Sequence, residues 1–394
     1  MKKYTVITLL LSIFIALLGI GIIVPVMPVY AKDLGAGGFA LGMIIAAFSI
    51  TRGALQPVVG SLSDQWGRKR FLMVGLLIYG LVGLMIPSAN TVFHLIAIRG
   101  FHGVGSAMIV PIAMAYMSLL APAGHEGRYM SYLNIAIFCG IGCGPVIGGC
   151  IYDFFGLRVV FYAMALLSFM ALLLVVRFMP GNDGTKSVTK KKLLAGFSAM
   201  LSSRKTCGIL VARYATMIVM VPTMAFLPLL MSAWQETTGL QIGIVIACRT
   251  LVNAVFQIPF GRIGDTVSKL PLLLGSSLAL SGLIFVIPSI DSFAMMAITY
   301  LFLGVTEACV WALLGAYASL EAKNLYGHGT MMGVFSFAMS AGVFTGAILA
   351  GTSMNMWGIV SAYHVTAVAV GGGSLLAGML IVSGDKQAGS PGRG

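Results

Sequence analysis

Glu307 lies near the middle of a long and otherwise uncharged run, ITYLFLGVTEACVWALLGAYAS, and is the only acid deep in any apolar stretch of the chain. A carboxyl group in apolar surroundings costs least when protonated, and water or an approaching cation favours release of the proton. Glu307 is therefore the residue best suited to take up and give back a proton. The alternative is a protonated glutamate held by a neighbouring helix. Three arginines share such surroundings. Arg52 with Gln56, and Arg249 with Asn253 and Gln257, form polar stripes at four-residue spacing, which one helix face presents together. Such stripes belong toward a cavity or another helix rather than lipid. Arg52, Arg99 and Arg249 set against Glu307 give three cations to one acid, a balance favouring anionic or zwitterionic ligands. Arg52 and Arg249 can instead bond carbonyls where helices close together. Arg99 can instead extend to the surface, as Arg213 is expected to do from near the start of its run. His102 reads as a packing residue. Tyr30, Tyr116, Phe138, Phe226, Trp311 and Phe335 are candidates to line an adaptable apolar pocket.

These residues need long apolar helices to hold them, and the composition supplies them. The chain has 394 residues, 59% hydrophobic and 9% charged, with mean hydropathy +0.99. Soluble domains carry about 25% charged residues, so the fold class is an all-α membrane protein. Val6 to Tyr30 and Phe161 to Val176 are apolar on every face, whereas barrel strands alternate. Twelve spans are expected, over 4–30, 39–62, 71–88, 92–119, 129–152, 159–178, 206–232, 240–262, 270–289, 292–319, 329–352 and 359–382. The first is too long for a signal-peptide core. An even number puts both termini on one side. That side holds 18 of the 24 Lys and Arg, the other only Lys32 and Arg158, with Arg52, Arg99, Arg213 and Arg249 inside helices. By the positive-inside rule the termini face the cytoplasm, in a multi-pass plasma (inner) membrane.

The net charge of +13 comes mostly from those loops, so no nucleic-acid partner is expected. Cys139, Cys143, Cys150, Cys207, Cys248 and Cys309 lie in apolar stretches without metal-ligand spacing, so neither a metal site nor a disulfide framework is expected. No phosphate loop of the G-x-x-x-x-G-K-[ST] type occurs, and no cofactor is expected. The five histidines are scattered, without H-E-x-x-H or G-x-S-x-G, which argues against a lipid-modifying enzyme.

A polar stretch over 181–205 divides the chain into a six-helix bundle over 1–180 and another over 206–383, with a disordered tail over 384–394. Lys190, Lys191 and Lys192, followed by Leu193, Leu194, Phe197, Met200 and Leu201, predict a short amphipathic linker helix. The halves repeat. Gln56, Gly60 and Asp64 match Gln257, Gly261 and Asp265 at an offset of 201, and Ser131, Gly140 and Gly156 align with Gly333, Gly342 and Gly358 at 202. Two halves of like topology are the plan of a rocking transporter with its site between them.

Three motifs carry a family resemblance over essentially the whole chain. GSLSDQWGRKR, with Gly60, Asp64, Gly67, Arg68 and Lys69, resembles the signature loop of the major facilitator superfamily. RGFHGVGSAM resembles its fourth-helix motif, in which Arg99 would assist proton transfer. GIGCGPVIGG, with Gly140, Gly144, Pro145, Gly148 and Gly149, resembles the fifth-helix signature of antiporting exporters; its glycines also suit close helix packing. GIGIIVPVMP on helix 1 is similar to the twelve-helix drug:proton antiporter branch, although the buried acids some relatives carry there are absent before Asp33. The resemblance implies two pseudo-symmetric six-helix bundles in a monomer among membrane lipids, exporting a small molecule in exchange for protons. Glu307 and Arg99 would couple the proton, and Asp64, Arg68, Gly60, Gly67 and Asp265 would gate the mouth. The alternative is a dedicated exporter of an organic anion or carboxylate siderophore; a channel would not need the gate motif.

Overall fold

The computed structural model describes residues 2–120, 126–180, 202–234, 237–266, 268–321 and 328–388. The amphipathic linker helix expected after Lys190 lies outside the described residues, as does 389–394. Among the described residues, twelve helices are long and apolar enough to cross a membrane. In the first half they are α1 (Lys2–Ile23, continued by Met27–Asp33), α2 (Gly38–Trp66), α3 (Arg68–Met85), α4 (Val92–Ala107 and Val110–Leu120), α5 (Glu126–Phe155) and α6 (Leu157–Phe178). In the second they are α7 (Arg204–Met217, then Val221–Phe226 and Leu227–Met231), α8 (Gly239–Thr266), α9 (Lys269–Val286), α10 (Phe293–Glu321), α11 (His328–Trp357) and α12 (Ile359–Ala388). The end of the bundle that carries both termini is called proximal below, the other distal.

Proline explains the interruptions. α1 breaks around Pro25 and α4 ahead of Pro111, because proline lacks the N–H that continues the ladder. α7 widens to a π-helix over Val221–Phe226, which contains Pro222. α12 runs to Ala388, past the tail boundary expected at 384. Asp385 pairs with Lys205 at 2.8 Å, and Gly384 lets α12 close on the Lys205 backbone, so the last turn is packed and paired. Gly156 and Gly358 occupy equivalent turns, between α5 and α6 and between α11 and α12, at φ +81 and +86. Only glycine adopts that region without strain.

Each half has its own contacts, α1 with α5 and α6, α2 with α4, α7 with α11 and α12, and α8 with α10. The halves meet along two seams, α2 against α11 and α5 against α8. Glycine makes both seams close. A Cβ on Gly42 of α2 would overlap the Ala347 carbonyl of α11; one on Gly243 of α8 would overlap the Pro145 carbonyl of α5. Gly351 likewise faces Gly38 and Gly42, and Gly149 faces Gly239. Without hydrophobic drive between helices in lipid, such backbone approach supplies the attraction through dispersion. All four contacts lie toward the distal end, which is closed. Toward the proximal end of α8, a Cβ on Gly261 would meet nothing within 4 Å. Inside each half, Gly140, Gly144 and Gly148 of α5 face α1 at Phe14, Gly21 and Ile22, while Gly342 and Gly346 of α11 face α7 at Tyr214 and Ile218.

Gly243→Ala and Gly42→Ala should each part the halves at the distal end, since the neighbouring backbone cannot yield. Spin labels on Thr238 and Phe155 should move apart in Gly243→Ala, and stay put in Gly275→Ala, where the added carbon meets open space.

Candidate functional site

The π-helical turn of α7 begins the site. Widening one turn changes which groups point inward, and here it presents Thr223 to α8 and its carbonyl to α10. Tyr300 of α10, fully buried, donates its hydroxyl to the Thr223 carbonyl at 2.9 Å. The Thr223 hydroxyl donates to Val219 and accepts from Arg249 Nη1. Two turns along α10 from Tyr300 lies Glu307. Arg249 Nε and Nη2 donate to its two oxygens, each at 2.9 Å, and Nη2 also reaches Met220 Sδ at 3.4 Å. Arg249 is 1% exposed and Glu307 4%. This parallel two-point contact is the strongest arrangement available to the pair. Next on α8, Gln257 donates to Asn253 at 2.8 Å.

One turn further along α10, Trp311 begins a second cluster. Arg213, expected to reach the surface, is 6% exposed and stacks on the rings of Trp311 and Phe335, at 4.4 and 4.8 Å from their centres. The aromatic faces offered by α10 and α11 outcompete extension to the surface. Trp311 meets Phe138 of α5 across the interface, ring centres 6.2 Å apart. Phe138, Trp311 and Phe335 are thus brought together. The remaining aromatics lie elsewhere. Tyr30 donates to the Ile86 and Ala89 carbonyls and packs on Phe161, Tyr116 donates to the Pro180 carbonyl, and Phe226 is fully buried in the core.

Arg99 stands in the first half, over the Phe48 ring at 4.4 Å and within 2.7 Å of His102 Nδ1. His102 is fully buried, edge-on to Phe48 and Tyr79. The cation on Glu307 is Arg249. Arg52 is half-buried, and its Nε and Gln56 Oε1 make no hydrogen bond. Gly67 turns the chain from α2 into α3 at φ +92, and Lys69 reaches the Val176 and Met179 carbonyls at the end of α6. The side chains of Asp64 and Asp265, and the surroundings of Gly60, lie outside the described residues; Arg68 is half-buried.

Four further polar residues escaped the sequence reading. Asp153, at the distal end of α5, accepts from the Gly239 and Leu240 N–H groups at 2.9 Å each, capping α8 of the other half. Thr238 and Gln241 bond reciprocally at 3.2 and 3.1 Å, a capping box on the same helix end. Glu321, 6% exposed, accepts from Thr206 at 2.9 Å and joins α10 to α7.

Losing one member of a buried ion pair leaves the other uncompensated, at a cost of about 3–5 kcal/mol, whereas apolar replacement of both is near neutral. Arg249→Met should therefore melt well below the parent in detergent, and Arg249→Met combined with Glu307→Leu should recover most of the loss, read by thermal unfolding.

Residues 9–240 and 206–393 match the profile of the Major Facilitator Superfamily. An uncharacterized MFS-type transporter of Methanocaldococcus jannaschii is 29% identical over 91% of this chain and 93% of its own length. The quinolone resistance protein NorA of Staphylococcus aureus is 25% identical over 95% of each chain. Among solved structures, a bacterial homologue of the human lysosomal transporter Spinster, inward-facing and occupied, superposes with TM-score 0.80 over 98% of this chain and 97% of that one, at 13% identity, which bears on fold alone. Twelve spans in two pseudo-symmetric bundles, a glycine-lined seam between them and a profile match over nearly every residue agree: this chain is a multi-pass membrane transporter, not an enzyme, and belongs to the Major Facilitator Superfamily.

Proposed function

We propose that the protein is a proton-coupled exporter of small organic molecules, working as a monomer by alternating access with its proximal end in the cytoplasm. The observation that carries this reading is the Arg249–Glu307 pair, an ionisable couple committed to itself deep in the bundle. With the carboxylate clamped by both oxygens and the distal end closed, the molecule is set to load cargo from the cytoplasmic side. Protonation of Glu307 removes the charge that holds Arg249, freeing α8 and α10 to shift against each other. The seams then part at the distal end, Asp153 leaves α8, and Asp64 with Arg68 latches the cytoplasmic mouth against a helix N-terminus. Arg99 acts within the first half through His102 and Phe48 rather than on the proton itself. Each net charge moving inward contributes about 2.3 kcal/mol per 100 mV. The names of the multidrug and quinolone resistance relatives support efflux as the direction. A dedicated organic-anion exporter would share this cycle and differ in cargo.

Proteoliposomes containing a pH dye test the reading. Substrate-triggered proton movement should be present with intact protein and lost in Glu307→Gln. Transport that persists unchanged in Glu307→Gln, or transport without proton movement, would sink it.

A further inference from the structure

Arg213 is a buried cation with unused donors. Of the five N–H groups of a guanidinium, one terminal nitrogen reaches only the Met339 thioether, at 3.2 Å, and Nε bonds nothing. A thioether is a weak acceptor. No carboxylate among the described residues lies within ion-pair distance of Arg213; Glu307, one turn from Trp311, gives both its oxygens to Arg249. Two aromatic faces hold the cation in place without hydrogen-bonding it. The indole N–H of Trp311, whose ring face carries the guanidinium, is also unbonded. Phe138 adds an apolar wall from the opposite half. Burying a guanidinium without an acceptor is costly, and a flat two-oxygen anion is what its fork fits.

We propose that Arg213 and the Trp311 indole N–H form the seat for the carboxylate of an amphipathic organic anion whose apolar or aromatic body lies against Phe138, Trp311 and Phe335. The site spans the interface, so its occupant touches both halves and is released when they part. Arg52, in the first half, likewise has an Nε that bonds nothing. Cationic compounds are excluded by the same charges. The assignment rests on the interface being the transport route, as proposed above, but it does not depend on proton coupling.

Binding to the purified full chain in detergent, measured by titration calorimetry, tests it with three probes of one shape: naphthoate, the neutral naphthamide and the cationic naphthamidinium. Naphthoate should bind about tenfold or more tightly than naphthamide, a preference of the size a charge-assisted two-point contact gives, with naphthamidinium weakest. Arg213→Gln should bring naphthoate down to the level of naphthamide, and Arg213→Lys should keep part of the preference. If Arg213→Gln does not fold, Trp311→Phe, which keeps a ring and removes the N–H, should still lower the naphthoate to naphthamide ratio. Equal affinity for the three probes, no naphthoate binding, or a preference unchanged in these variants would overturn the assignment. An anionic lipid shares the ligand chemistry, so short-chain phosphatidylglycerol is titrated in parallel; tighter binding than naphthoate, lost in Arg213→Gln, would make this a lipid site and overturn it too. Because no proton gradient is used, a negative result with Glu307→Gln in liposomes leaves this measurement standing, and the reverse.

Discussion

A guanidinium and a carboxylate meeting by two hydrogen bonds in the middle of an apolar bundle set the terms for everything around them. Neither ion tolerates that depth alone. The π-helical turn of α7, the Thr223 hydroxyl, and the Tyr300 hydroxyl that takes up the Thr223 carbonyl are arranged around the pair. Three helices, α7, α8 and α10, are thereby tied through one polar knot with lipid-like packing above and below. In the cycle proposed above, moving a single proton would undo the electrostatic reason for the knot, while the helices themselves would remain intact. A small chemical event would thereby become a displacement of whole helices.

The proposed displacement needs surfaces that can separate and rejoin, and the glycine seams suit it. Where backbone meets backbone at Gly42 and Ala347, or at Gly243 and Pro145, no side chains have to repack. The contacts are alike because the halves are alike. Gly42 and Gly243 are 201 residues apart, and Pro145 and Ala347 are 202 apart, the offsets already visible in the sequence repeat. Within each half, α1 and α5 or α7 and α11 are also joined by glycine contacts, and one cluster of buried side chains runs from the first half into α7, α11 and α12.

Helix number and the division into halves could be read from the sequence because a bilayer demands long runs whose backbone bonds are satisfied internally. The residue types of the site were legible for the same reason: an ionisable group in such a run stands out. Which of them touch was not. Arg249 and Glu307 are 58 residues apart on separate helices, and spacing within one helix says nothing about its neighbour's rotation. Arg213 was misjudged because its depth alone suggests extension to the surface, while its aromatic partners come from α10 and α11. Tyr30, Tyr116 and Phe226 have the same chemistry as Phe138 and Trp311, and only helix orientation separates packing residues from interface residues. Asp153 looks like an ordinary flanking charge; the Thr238 and Gln241 pair was a readable sign that α8 begins there, but not that the other half would supply the missing acceptor.

The repeat also shows where the two halves ceased to be equivalent. Asp153 caps the start of α8, and Asn355, 202 residues later, sits against the start of α2, where its Oδ1 is 3.0 Å from the position of a Cβ on Gly37. One arm of the distal closure is anionic and exposed, its counterpart neutral. Dissolved ions screen the first and leave the second alone. The two seams therefore answer the surrounding medium unequally: raising ionic strength weakens the charged contact between α5 and α8 and leaves its neutral counterpart between α11 and α2 as it was, so any parting of the distal end would begin from one edge, like a door hung on its uncharged seam.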